Sequence, residues 1–185
     1  MVRIETQRLI IRSLKREDEQ SFIRMASDGS LWEIFGDCSE CDRWMGKWIG
    51  EAMQLDLENS PTEAYLAYAI ECRKDHKVAG SVGCSWYEDL QRVGITYFMD
   101  AGYRGHGYMT EAVKGYTQYF FRNYAVSSLF ATARTENAAS CRVLENAGFC
   151  LFKTGMYQDM FDKTPQMSRF YELAAPDAVR ISGLT

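Results

Sequence analysis

The residues that most restrict how this chain can fold lie between Ile95 and Tyr124. An alternating apolar run, Ile95 to Met99, passes through a loop carrying Gly102, Gly105 and Gly107. It then enters Thr110 to Tyr124, where Ala112, Val113, Tyr116, Tyr119 and Phe120 recur at helical spacing. Strand, glycine loop and helix in that order leave the first helical N–H groups without partners, and the helix dipole adds partial positive charge at the same point. Such a junction holds a pyrophosphate with little side-chain help, and Gly105 and Gly107 let the backbone approach it closely. Glycines ahead of a helix also serve turn geometry alone, so the pair by itself fixes only the path of the chain. Neither GxGxxG after a first strand nor GK[ST] is present, which argues against a dinucleotide or nucleoside triphosphate held in those two ways.

Around this junction short strands alternate with helices. Glu5 to Arg12 reads as a first strand, and Lys15 to Ala26 as a helix through Phe22, Ile23 and Ala26. Ser39 with Asp42 has the form of a capping box. Behind it Trp44, Met45, Trp48, Ile49, Ala52 and Met53 give a helix of about four turns ending before Asn59. Tyr65 to Cys72, Val78 to Tyr87 and Val93 to Met99 form an antiparallel meander. Ser128 to Ala133 is a further strand, and Asn137 to Ala147 a short helix closed by Gly148. Phe149 to Lys153 and Met167 to Leu173 complete the sheet, giving one α/β (α+β) domain over residues 1–174 and a loose tail over 175–185.

The 185 residues fit a single core, and 21 Lys and Arg against 25 Asp and Glu give a net charge of -4, with no general attraction for nucleic acid or anionic lipid. Charges interrupt every apolar run of the N-terminus, and none reaches the ~20 residues of a membrane span, so neither a membrane segment nor a secretion signal is expected. Six cysteines in a chain of this size fit reduced thiols in the cytoplasm. Cys38 and Cys41 form a CxxC pair with no second pair or CxxH to complete a zinc site, so no metal is expected.

The run Arg104-Gly105-His106-Gly107-Tyr108-Met109 resembles the phosphate loop, Q/R-x-x-G-x-G/A, of the GNAT superfamily of N-acetyltransferases. With Asn137 to Phe149 it is most similar to the branch containing the ribosomal-protein-alanine N-acetyltransferases, and the order of elements agrees from about Glu5 to Leu173. The resemblance implies a GNAT-like fold with a mixed, mostly antiparallel central sheet whose strands splay, and acetyl-CoA as co-substrate. Arg104, Gly105, His106, Gly107, Tyr108, Met109 and Thr110 are then the pyrophosphate loop, and the backbone of Phe98 and Met99 the edge that binds pantetheine like an added strand. Met109 stands where the family has a small residue; its N–H can still serve if its side chain points inward. Asn137 is a helix N-cap by type and place, and the family's asparagine here also contacts the cofactor.

Many members carry a tyrosine where this chain has Leu144, and that tyrosine protonates the departing thiolate. Ser140, one turn earlier on the same helix face, is the replacement that the ribosomal branch implies. Direct attack by a neutral amine further needs a backbone N–H near Met99 to polarise the thioester carbonyl, and a carboxylate or water to take the ammonium proton. Asp159 and Glu33 are the carboxylate candidates. A covalent route through Cys41 or Cys141 is the less favoured mechanism, since neither has an adjacent histidine. Trp32, Phe35, Trp44 and Trp48 wall the acceptor side in relatives, and Glu33, Asp37, Glu40 and Asp42 favour a cationic acceptor. A peptide N-terminus, polyamine, aminoglycoside and small amine all stay open. The chain is expected to act as a monomer or homodimer, and the alternative to an enzyme is a non-catalytic acyl-CoA-binding or regulatory module.

Overall fold

The computed structural model describes residues 1–176; the remainder of the expected tail, 177–185, lies outside the described residues. The elements run β1 (Arg3–Glu5), β2 (Leu9–Ser13), α1 (Glu19–Ala26), α2 (Trp32–Phe35), α3 (Cys41–Glu58), β3 (Leu66–Cys72), β4 (Val78–Tyr87), β5 (Arg92–Met99), α4 (Tyr108–Asn123), β6 (Ser128–Arg134), α5 (Ala138–Ala147), β7 (Cys150–Tyr157) and β8 (Gln166–Ala174). The strands form one eight-stranded sheet in the order β1-β2-β3-β4-β5-β6-β8-β7. Neighbours are antiparallel except β5 and β6, which are parallel and touch at one registered pair, Gly94 with Phe130. Past that pair the two strands part, as the resemblance implied.

The period of two along β3 divides the core between the two faces of the sheet. Leu66, Tyr68, Ile70 and Cys72 face α4 and α5, where they meet Ala112, Val113, Tyr116 and Phe120. Ala67 and Ala69 face the other way, with Phe22 of α1 and with Met45, Ile49 and Ala52 of α3. The small residues leave room for α3 to lie close. Arg12, buried on β2, joins the layers through Asp18 and Glu71, each at 2.8 Å.

Several local expectations need correction. The first strand is a hairpin: Thr6 N–H donates to the Leu9 carbonyl at 3.0 Å and the Leu9 N–H to the Thr6 hydroxyl at 3.1 Å, which turns the chain between β1 and β2. The helix read from Lys15 starts as a tight turn over Arg16–Asp18, because Asp18 reaches back to the Lys15 N–H (2.9 Å) and to Arg12. Ser39 caps nothing. Its own N–H donates to Asp37 Oδ1 at 2.9 Å, and α3 starts two residues later with no side-chain cap. The short helix α2 was not foreseen as a separate element. Ala175, placed in the tail, is buried and pairs with Ser127 through a 2.8 Å backbone bond.

Candidate active site

The glycine loop leaves β5 and enters α4 as its sequence demands. Gly105 and Gly107 have φ of +80° and +74°, a region that L side chains avoid. Gly107 is the N-cap of α4, and the first helical N–H to find an acceptor is that of Glu111, on the Gly107 carbonyl at 3.1 Å. The N–H groups of Tyr108, Met109 and Thr110 precede it in the open first turn. The Met109 side chain is buried in the core with Val113, so its backbone alone faces the loop. His106 and Arg104 are exposed.

Arg104 turns back into the loop. Its Nε donates to the Met99 carbonyl at 2.9 Å and Nη2 reaches Ser30 Oγ at 3.4 Å, so its guanidinium braces the end of β5. A second arginine, not foreseen, supports the loop from below. Arg8 donates from Nη1 to the His106 carbonyl at 2.9 Å, lies 4.5 Å from the Tyr108 ring centre and pairs with Glu111 at 2.6 Å. Burial works against the charge on Glu111, but the Thr6 hydroxyl and the backbone and guanidinium of Arg8 hold its carboxyl below the usual range. The acid in this first turn is thus neutralised, leaving the loop's dipoles unopposed.

Beyond Gly94, β5 offers backbone groups to the gap left by β6. The Phe98 carbonyl points at β4, so close that a side-chain carbon on Gly80 would lie 2.2 Å from it. The Asp100 N–H likewise reaches the Ala79 carbonyl at 2.8 Å. Successive residues of a strand direct their backbone groups to opposite edges, so those facing the gap belong to Tyr97 and Met99. Phe98 therefore does not present its backbone to the opening as expected; its ring packs with Phe22 and Phe35 on the far face. The Met99 carbonyl is taken by Arg104, which leaves its N–H.

Tyr97 also brings a side chain that the sequence pattern did not single out. Its hydroxyl shares a 2.8 Å hydrogen bond with Ser140 Oγ. Burial, partly offset by that bond, pushes the phenol far above its ordinary range, so it stays protonated at neutral pH. Ser140 sits in the first turn of α5, where the Asn137 side chain accepts its N–H at 3.1 Å, the capping role expected of Asn137. Leu144 is fully buried and offers no proton. Cys41 and Cys141 are buried with their thiols on the Ile23 and Arg134 carbonyls, at 3.7 and 3.8 Å.

On the opposite face of β5 lies a cavity of about 560 Å³ whose lining includes Thr96, Phe98, Ser85, Phe35, Trp44, Trp48, Tyr65, Met160 and Phe161. Phe35 joins the expected aromatic cluster, 5.5 Å from Trp44 and 5.0 Å from Trp48 between ring centres, while Trp32 stays out on the surface. Arg134, outside the lining, pairs with Glu33 at 3.1 Å and with Asp162 of the β7–β8 loop. Glu33 is therefore an exposed ion-pair partner. Asp159, in the same loop, is half-buried, and its carboxyl is raised above the usual range by burial and by Asp162 and Asp89, against the Met160 N–H and Arg134. Among the described residues no three His, Cys, Asp or Glu come together as metal ligands, and no helix is long and apolar enough to cross a membrane.

The chain matches the acetyltransferase (GNAT) domain family over residues 8–150. It is 42% identical over 60 residues to a probable N-acetyltransferase, YjcK, of Bacillus subtilis, a stretch covering 32% of this chain and 33% of that relative, so the chain spans about a third of that protein's length. Among solved structures it resembles the ribosomal L7/L12 alpha-N-protein acetyltransferase RimL in complex with coenzyme A, at 15% identity and a TM-score of 0.78, covering 94% of this chain and 98% of that one. It also resembles the ribosomal-protein-S5-alanine acetyltransferase of Vibrio fischeri, at 17% identity and a TM-score of 0.77, covering 96% and 98%. The structural likenesses carry the fold, and the family match carries the kinship. The chain belongs to the GNAT acetyltransferase family, whose domain it matches over residues 8–150.

Proposed function

We propose that the protein moves the acetyl group of acetyl-CoA to a primary amine by direct attack, with the cofactor in the gap between β5 and β6 and the amine arriving from the cavity on the other face of β5. The observation that carries this reading is the arrangement about one strand: Tyr97 and Met99 backbone groups without strand partners and the Tyr97–Ser140 pair on one side, a lined cavity on the other. Gly105, His106, Gly107, Tyr108, Met109 and Thr110 hold the pyrophosphate through their backbone N–H groups. Arg104 shapes that loop, and Asn137 sets the mouth of α5. Phe98 serves the acceptor wall, and its backbone place on the cofactor edge passes to Tyr97.

In the reaction the amine nitrogen forms a bond to the thioester carbon and the carbon–sulfur bond breaks. The Met99 N–H polarises the carbonyl. Either hydroxyl of the Tyr97–Ser140 pair can be the donor; with Tyr97 donating, the Ser140 proton is free to meet the departing sulfur. Asp159, next to Met160 of the cavity lining and with its carboxyl raised above the usual range by burial, takes the proton lost by nitrogen through a water, whereas Glu33 is held by Arg134. The acceptor is a small amine or a protein N-terminus, the latter supported by the ribosomal L7/L12 alpha-N-protein acetyltransferase that the chain resembles in fold. The reading includes work as a monomer or homodimer in the cytoplasm, without nucleic acid or membrane; six free cysteines support a reducing compartment, and a net charge of -4 gives no general attraction for phosphate backbones or anionic lipid. Purified protein with acetyl-CoA and a panel of amines, followed as free thiol, tests it: amine-dependent release is expected, and tight cofactor binding with no release on any amine would favour a non-catalytic module.

A further inference from the structure

The cavity beside β5 is selective by what it lacks. Its side walls are ring systems: Trp48 lies parallel to Tyr65, at 3° and 6.1 Å between centres, and Phe35 bridges Trp48 to Phe98 at 5.0 and 5.6 Å. Phe161 covers the opening against Gly36, where any side chain would stand 2.8 Å from its ring. The few polar groups are mostly committed, except the Tyr65 hydroxyl, which is buried without a partner. Ser81 donates to the Tyr68 carbonyl at 2.9 Å, and the Ser85 and Thr96 hydroxyls share a bond at 3.3 Å.

Four nearby acids gave the sequence a cationic look, and the structure removes all but one from the cavity. Glu33 is paired with Arg134 at 3.1 Å, Glu40 with Arg43 at 2.7 Å, and Asp42 is no part of the lining. Asp37 remains, lining the cavity from an exposed position at its rim. The Ser39 backbone N–H holds its carboxyl below the usual range, so it is charged at neutral pH. A polyamine placed here buries several ammonium groups against one carboxylate, and an aminoglycoside buries more hydroxyls than the Tyr65 hydroxyl can meet; both desolvation costs go largely unrelieved. A cavity of about 560 Å³ is also larger than a methylamine-sized acceptor can fill.

We infer that the acceptor is a primary amine carrying a single positive charge and one aromatic or bulky apolar group: Asp37 draws the ammonium to the rim as it enters, and the Phe35, Trp48, Tyr65 and Phe98 walls take up the apolar group while the nitrogen, once neutral, turns to the thioester. This rests on the acceptor reading of the cavity given above. A free arylalkylamine and a peptide beginning with a bulky apolar residue both supply this chemistry.

The test is thiol release from acetyl-CoA with the full chain and four kinds of acceptor: 2-phenylethylamine, phenylalanyl-glycine amide, spermidine and kanamycin, with methylamine as the small control. One of the first two is expected to exceed spermidine, kanamycin and methylamine by about a hundredfold in kcat/KM, and the better of the two identifies the source. Phe161→Ala and Trp48→Ala should each lower kcat/KM for that amine about tenfold and leave the KM for acetyl-CoA in place. Phe161 lies on a loop, so its variant reads the cavity even if Trp48→Ala fails to fold. Asp37→Asn should raise the amine KM with little change in kcat. Turnover of spermidine or kanamycin at or above the aromatic amines overturns the inference and leaves acetyl transfer standing. Absence of release with every amine, despite bound cofactor, overturns both.

Discussion

The Tyr97 hydroxyl bonds Ser140 twice, to its carbonyl at 3.3 Å and to its hydroxyl at 2.8 Å, and the worth of the second bond depends on which oxygen is needed as an acid. If Ser140 meets the leaving sulfur, its bond strengthens as negative charge grows there, so Ser140→Ala should lower kcat while leaving cofactor affinity near wild type. General acids contribute about 10² to 10⁴-fold, and water entering the space reduces the loss toward tenfold. Tyr97→Phe should lower kcat in the same direction but less, and the double variant should be no worse than Ser140→Ala. Steady-state kinetics on the three proteins decide it, and additive losses would show that the hydroxyls act separately. Asp159 offers a pH test. Its carboxyl is raised above the usual range, so kcat/KM should fall as pH drops through that raised value, and Asp159→Asn should lose this acid limb along with most activity. The sign for stability is opposite. A carboxyl whose folded pKa is raised stabilises the fold below its unfolded pKa, and that contribution is lost as pH rises through the folded pKa, so Asp159→Asn should raise the Tm at neutral pH. Which residues face the cofactor gap was partly legible. Phe98 and Met99 are neighbours in a strand and cannot both turn their backbones to the same edge; alternation alone allows Tyr97 with Met99 or Phe98 with Asp100, and the register with β4 selects the first pair. Arg8 gave no such signal, because it meets His106 from 98 positions away.

Where elements join, sequence reading was strongest when local chemistry had no competitor. Asn137 and Gly148 close α5 as read, since nothing else near them claims the same N–H and carbonyl groups. Ser39 was misread because Asp37 offers its N–H a nearer oxygen, and the β1–β2 hairpin was missed because Thr6 makes a turn from a side chain that also suits a strand. The loop before α4 is where element geometry and function meet. A side-chain carbon at Gly107 finds only Arg8 Nη2, at 3.6 Å, so space is not the obstacle; the φ of +74° is. Gly107→Val forces that residue out of the left-handed region and turns the first N–H groups of α4 away from a common point. Losing one charge-assisted contact costs about 1.5 to 3 kcal/mol, so calorimetric titration of coenzyme A should show affinity reduced roughly ten- to a hundredfold. Unchanged affinity in the folded variant would place the phosphates elsewhere.

At the scale of the molecule, the sheet is two antiparallel pieces, β1 to β5 and β6-β8-β7, meeting at one registered pair. The meander was legible from alternation and turns, whereas the insertion of β8 between β6 and β7 depends on register over residues 128–134 and 166–174, which no local pattern encodes. An opening of this kind leaves backbone groups of Tyr97 and Met99 without strand partners, so a ligand that adds itself as a strand should tie the two pieces together. Anything that binds the folded state alone stabilises it by RT ln(1 + [L]/Kd), about 2.7 kcal/mol at a hundredfold excess over Kd. For a domain of this size, 1 kcal/mol moves the Tm by about 2–4 °C, so saturating coenzyme A should raise it by roughly 5–10 °C. The rise should track the logarithm of free ligand above Kd. At the same concentration the Gly107→Val protein, its Kd increased, should show a much smaller rise. Ser140→Ala, which alters the transition state rather than the bound state, should keep the full shift. A wild-type protein that melts at one temperature from zero to millimolar coenzyme A would refute the gap between β5 and β6 as the cofactor's seat.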